Sequence, residues 1–195
     1  MIPAINYAMS ALQASGQRFT VHANNVANVN TPGFKSSRAL QSTLPGGGTH
    51  ISSTQRDFSQ GALELTGRPT DFAVDGPGFI PLEGNTFTRN GAFSYDANGD
   101  LVTADGLLVE MDEVMEFPNP DGLIDVGGSQ FALSEFSGET FPSSSSLISG
   151  ALENSNVDIA KETVGQILAQ RNFEFNLVTI KTADEMMGTL LDLFA

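Results

Sequence analysis

Apolar residues at both ends of this 195-residue chain recur at helical spacing, and no other feature limits its folding so strongly. Ile2, Ile5, Met9, Leu12, Gly16, Phe19, Ala23 and Val26 follow one another at steps of 3, 4, 3, 4, 3, 4 and 3. That heptad seam predicts a helix over residues 3–29, roughly 40 Å long. Thr31 precedes Pro32 and is pushed out of the α region, while Gly33 suits the positive φ of a turn, so TPGF ends the helix. Near the other terminus Phe173, Leu177, Ile180, Ala183, Met187, Leu190 and Phe194 continue a stripe begun by Ala160, Val164 and Ile167. This predicts a second helix over 156–191, roughly 54 Å long, with Ser155 as N-cap and Asp158 completing a capping box. Neither helix can bury its stripe alone, and the simplest solution packs the first against the last as a coiled coil.

Between them the period changes. DFAVDGPGFI (71–80), NTFTRNGAFSYD (85–96) and DLVTADGLLVEM (100–111) alternate apolar and polar residues between Gly-Pro, Asn-Gly and Asp-Gly breaks, the pattern of hairpins in a small antiparallel sheet. STLPGGGTHISS (42–53) and SGETFPSSSS (137–146) have the composition of flexible connectors. The expected fold class is α+β: a discontinuous coiled-coil domain from 1–35 and 150–195, with an all-β domain inserted at 36–149.

Charge excludes several roles. The net charge is −14, with four bases and no acid in residues 1–56, and all 23 acids against five bases thereafter. From Asn90 to Ala160 there are 13 acids and no Lys or Arg, so that region does not neutralise phosphate; nucleic acid is not an expected partner. No apolar run reaches membrane-spanning length, and no charged segment followed by an apolar stretch opens the sequence. Direct membrane insertion is not expected, and any export is expected to use no cleaved signal peptide. The chain has no cysteine.

No catalytic or metal constellation emerges. His22 and His50, without cysteine, lack ligand spacing. Asp96, Asn98 and Asp100 imitate a calcium loop, but Leu101 and Leu107 occupy the places of its turn glycine and bidentate acid, so a hairpin is the better reading. Asp71 with Asp75, or Asp112 with Glu113, supplies the two carboxylates of a glycosidase only in the sense that a chain with 23 acids offers many such pairs. No enzyme activity and no cofactor are expected. The unusual residues are instead Asn24, Asn25 and Asn28 at the end of the first helix, where exposed helices ordinarily carry Lys and Glu. Amides donate and accept, so they suit burial against copies of the same helix without the desolvation penalty of an ion.

ANNVANVNTPGFK (23–35) resembles the N-terminal signature of bacterial flagellar rod and hook proteins. RDFSQGALELTGRPTDFAVDGPGF (56–79), TRNGAFSYDANGDLVTADG (88–106), GALENSNVDIAKE (150–162), QRNFEFN (170–176) and IKTADEMMGTLLDL (180–193) are similar to later segments of the same family, nearest to its proximal and distal rod members. The resemblance implies an axial structural subunit of the flagellar basal body, exported unfolded by the type III apparatus. It further implies that the terminal helices line a hollow tube built with copies of itself and other rod and hook proteins. It carries over Asn24, Asn25, Asn28, Thr31, Gly33, Phe34, Asn156, Val157, Gln170, Arg171 and Glu174. With Phe173, where tyrosine is frequent, and the seam residues Ile5, Met9, Leu12, Phe19, Val26, Leu177, Ile180, Met187 and Leu190, these form the expected assembly interface. A hook or hook–rod junction subunit, a secreted binding module and a wall hydrolase are the competing readings.

Overall fold

The computed structural model describes residues 2–111 and 113–194, which divide into two compact units. The first comprises 2–27, 37–55 and 158–194, and the second 28–36 and 56–157. The class is α+β, with two long helices and several small antiparallel sheets.

In the first unit, helix α1 (Ile2–Ala27) carries Pro3 in its first turn, where a missing N–H breaks no bond. It is followed by strands β1 (Ser37–Thr43) and β2 (Thr49–Arg56), which pair as a two-stranded sheet. Residues 42–53, expected as a connector, are therefore mostly strand. Their Ser, Thr and Gly content misleads because these side chains serve the sheet: Gln41 Nε2 donates to Thr49 Oγ1 at 2.6 Å and Ser52 Oγ to the Leu40 carbonyl at 3.1 Å. The hairpin docks on α1, with the Tyr7 hydroxyl donating to the Gly46 carbonyl at 2.7 Å and the Thr49 N–H to Ser10 Oγ at 3.2 Å.

Helix α2 (Ile159–Phe194) starts three residues later than expected. Its cap is Asp158, whose Oδ1 accepts the N–H groups of Ala160 at 2.9 Å and Lys161 at 3.2 Å. Ser155 instead accepts the Val157 N–H, before the helix begins.

The second unit contains β3 (Leu63–Leu65), β4 (Phe72–Asp75), β5 (Ile80–Leu82), β6 (Thr86–Thr88), β7 (Ser94–Tyr95), β8 (Leu101–Val102), β9 (Met115–Glu116), β10 (Ile124–Gly127), β11 (Gln130–Ala132), β12 (Phe141–Pro142), β13 (Ser146–Ser149) and β14 (Ala151–Glu153). Their largest sheet has the order β10-β11-β6-β5, and the rest form two-stranded sheets instead of the single small sheet expected. The expected hairpins exist at β5–β6 and β7–β8. Strand β4, however, pairs with β13 in the register Phe72↔Ser149, and β3 with β14 in the register Leu65↔Ala151. The core is aromatic: Phe58, Phe79, Phe87, Phe117 and Phe131 meet edge to face, with centroids between 4.9 and 5.8 Å apart.

Candidate assembly surface

Helix α1 is covered on two sides. The hairpin takes the flank bearing Tyr7, Ser10 and Asn25, while His22 faces α2, where its Nδ1 lies 2.5 Å from Glu162 Oε2. The covered line consequently runs through Ile5, Ala8, Leu12, Ser15, His22 and Val26. Relative to the expected seam, Met9 gives way to Ala8, while Gly16 and Ala23 stay half-buried beside Ser15 and His22. Met9 is 51% exposed and Phe19 is also on the surface. The shift has a local cause: a second neighbour on one flank draws the centre of burial toward it.

On α2 the covered line passes through Glu162, Gln166, Ala169, Ile180, Ala183 and Met187. Short side chains dominate this contact. A Cβ on Gly165 would come within 2.5 Å of the His22 ring, so glycine there lets the imidazole lie against the backbone. Phe173, Leu177 and Leu190, expected in the seam, are exposed. The side chains of Ile2 and Phe194, the outermost seam positions, lie outside those described. Gln170, Arg171 and Glu174 engage one another: Glu174 accepts from Gln170 Nε2 at 3.1 Å and from Arg171 at 2.7 Å, on the open side of the helix. A second apolar set, Val164, Leu168, Phe175, Met186 and Leu193, is uncovered as well.

The amide and turn residues serve the subunit's own fold. Asn25, with no exposed surface, donates to the Ser37 carbonyl at 2.7 Å and accepts the Ser37 N–H at 2.9 Å, so it clamps the start of β1. Asn24 is exposed. In the second unit Thr31 donates from its N–H to the Asn28 carbonyl at 3.1 Å and from its hydroxyl to Asn28 Oδ1 at 3.2 Å. Gly33 takes φ +66°, and its N–H reaches the Glu153 carbonyl at 2.7 Å. Phe34 is buried beneath the Arg56 guanidinium, which lies 5.7 Å from its ring centroid and also pairs with Asp125. Asn156 accepts the Ser36 N–H at 2.7 Å and donates to the Asp57 carbonyl at 2.7 Å; Val157 beside it is half-buried.

Within the second unit, the segments 33–36 and 153–156 meet at a buried ionic cluster that the sequence did not announce. Glu153 accepts Lys35 Nζ at 2.6 Å and the Gly61 N–H at 2.7 Å through Oε1, and Arg89 at 3.3 Å through Oε2. Lys35 also donates to the Ser59 carbonyl, and Arg89 to that of Gly76 while lying 4.9 Å from the Phe79 ring centroid. Burial pushes both cations below their ordinary pKa values, against the opposing pull of Glu153. Nothing in the spacing of residues 35, 89 and 153 signals that they meet.

The acid-pair readings find no shared site. Asp71 is buried and accepts the Thr66 hydroxyl at 2.7 Å, whereas Asp75 is exposed. Glu113 is exposed, and Asp112 lies outside the described residues. Asp96 Oδ1 accepts the N–H groups of Asn98 and Asp100, which fixes the β7–β8 turn. Among the described residues no cluster of His, Asp and Glu is placed to hold a metal, and no helix is long and apolar enough to cross a membrane.

Comparisons with known proteins agree across the chain. Residues 5–35 match the family described as flagella basal body rod protein, 73–137 the flagellar hook protein FlgE/F/G D1 domain, and 148–193 the flagellar basal body rod FlgEFG protein C-terminal family. The flagellar basal-body rod protein FlgG of Borreliella burgdorferi is 32% identical over 96% of this chain and 97% of its own length. FlgG of Buchnera aphidicola subsp. Baizongia pistaciae is 33% identical over 97% and 99%. The flagellar hook protein FlgE of Helicobacter mustelae is 38% identical, over 56% of this chain and 30% of its own length. The alignment with the Borreliella protein runs to 257 positions against a chain of 195, so it contains gaps where this chain is shorter.

Proposed function

Because the chain belongs to the flagellar basal-body rod protein family, and is a structural rod subunit of the flagellum, we propose that its two terminal helices act as a coiled-coil element lining a hollow helical tube. The tube is built from copies of this chain and related axial proteins, transmits torque and conducts exported subunits. The subunit itself travels unfolded through the type III export apparatus. The supporting observation is the apolar surface that α2 leaves uncovered in the single chain, from Val164 to Leu193. Contiguous exposed apolar surface of this kind marks a place where a neighbour binds.

The assembly residues in this reading are those the subunit leaves open: Met9, Phe19, Phe173, Leu177 and Leu190 with the Gln170–Arg171–Glu174 group. Asn25, Gly33 and Phe34 contribute by fixing the chain at the ends of the helices. Electron cryomicroscopy of isolated basal bodies tests the proposal. Density for α1 and α2 around the central channel is the expected result; helices placed away from the channel would refute it. Deleting the last 30 residues should abolish incorporation, whereas a binding module tethered by its helices would keep its ligand.

The hook reading is favoured by the likeness to the Helicobacter hook protein, beside the match of 73–137 to a domain described for FlgE, FlgF and FlgG together. That likeness covers a minor part of the hook protein's length, while the rod relatives align over almost all of theirs. The rod assignment is the better supported.

A further inference from the structure

The helix pair of the first unit carries a hollow on one flank and a projection on the other. Ser15, Gly16 and Phe19 of α1 and Ala169, Gln170 and Phe173 of α2 line an open, mainly apolar recess of about 460 Å³. Gly16 opens directly onto the recess: a Cβ there would meet nothing within 4 Å. On the same helix α2, Phe175 is 70% exposed and Leu168 is uncovered beside it. At about 100° per residue, positions 168 and 175 lie about 100–120° round from Ala169 in one direction, and 170 and 173 about 40–100° round in the other. The projecting ring is therefore turned away from the hollow, and one copy cannot fill its own recess.

We propose that the recess at Gly16 is the socket for Phe175 of a second copy of this chain. The proposal rests on the reading of the chain as an axial subunit and adds which face meets which. A socket and a knob on opposite flanks of one rigid element make a heterologous contact, in which each copy receives one neighbour and is received by another. Such a contact does not close on itself after two copies, and where its rotation does not complete a ring it propagates as a helix of subunits. An apolar ring seated between Phe19 and Phe173 also joins aromatic edges and faces, the geometry that rings prefer. The pairing accounts both for the exposed aromatic at 175 and for a glycine at 16 in the middle of an otherwise regular helix.

The contact is directly testable with the ring kept in place. A chain carrying the photoreactive p-benzoyl-phenylalanine at position 175, incorporated into rods and irradiated, should give a ladder of cross-linked multimers whose links map to the recess residues around Gly16 and Phe173 of another copy. The same chain with Gly16→Phe should lose those links. Rods in which the photoreactive ring links elsewhere, or not at all, would overturn the socket while leaving the rod assignment standing. Complete absence of the wild-type chain from isolated basal bodies would overturn that assignment, and the socket with it. As a second measurement, Gly16→Phe fills the recess from within. It should leave the helical signal in circular dichroism unchanged and weaken self-association by at least about tenfold in sedimentation. Undiminished association would refute the proposal.

Discussion

Lys35 Nζ lies 2.6 Å from Glu153 Oε1, and neither side chain is more than 1% exposed although the two residues are 118 positions apart. The contact fastens the segment after α1 to the segment before α2 within the second unit. Glu153 is the shared counter-charge of Lys35 and Arg89. Removing it leaves two buried cations facing one another. Glu153→Gln should therefore destabilise the chain by about 3–5 kcal/mol. Lys35→Met leaves Glu153 with Arg89 and the Gly61 N–H, and should cost less, about 1–3 kcal/mol. Urea unfolding followed by circular dichroism measures both, and equal losses would contradict the sharing of Glu153.

The same lysine gives the stability a dependence on alkaline pH. Burial lowers the Lys35 pKa from its ordinary 10.5, with the Glu153 carboxylate opposing. Between the lowered value and 10.5 the folded chain holds fewer protons at this site than the unfolded chain, so stability rises with pH across that interval and is level below it. The wild type should accordingly gain on Lys35→Met as pH climbs toward 10.5. Urea midpoints of the two proteins at a series of pH values provide the comparison. A constant difference across the series would rule the effect out.

Gly33 shows why the turn after α1 tolerates no side chain. Its φ is +66°, and a Cβ there would sit 2.2 Å from the carbonyl oxygen of Arg89, a buried residue just beyond β6, and a backbone atom cannot step aside as a side chain can. Gly33→Ala should destabilise by about 2–4 kcal/mol through strain and clash together. Gly46, also at positive φ but with nothing within 4 Å of its Cβ position, provides the control. Its alanine variant should lose only about 1 kcal/mol. Thermal denaturation of the two variants separates the causes, and similar losses would mean that the Arg89 contact is unimportant.

How far these contacts could be read in advance depends on their range. Both helices were legible because apolar residues at steps of 3 and 4 specify a helix and one of its faces. The face is displaced at Met9, since periodicity along a segment does not reveal that a hairpin will cover one flank. That hairpin looks like a connector in the sequence because Ser, Thr and Gly suit loop and solvated strand alike, and only the cross-strand bonds of Gln41 and Ser52 distinguish them. The asparagines at the end of α1 stand out by composition. Yet Asn25 spends its amide on Ser37 of the same chain, a pairing 12 positions away that composition does not encode. The meeting of Lys35, Arg89 and Glu153 and the pairing of β4 with β13 are products of long-range topology, with no local signal in any one segment.

Leu168 and Ala169 are neighbours in sequence with opposite surroundings, and they separate folding from assembly. Leu168 is 52% exposed and Ala169 has no exposed surface against α1. An aspartate at 168 projects into water, so Leu168→Asp should change the stability of the isolated chain by no more than about 0.5 kcal/mol. An aspartate at 169 must either carry an unpaired charge into the helix contact or push α1 and α2 apart, and Ala169→Asp should lose several kcal/mol, roughly 3 or more. Incorporation into the rod should fail for both, for different reasons. The Ala169 variant fails because its helix pair does not form. The Leu168 variant is folded but presents a carboxylate where a neighbour buries apolar surface, and the loss of contact area with the desolvation penalty works against every copy added. Circular dichroism of the soluble chain paired with a motility assay distinguishes the cases. A motile strain carrying Leu168→Asp would show that this part of α2 faces water in the assembled rod, and would limit the assembly surface to the opposite flank.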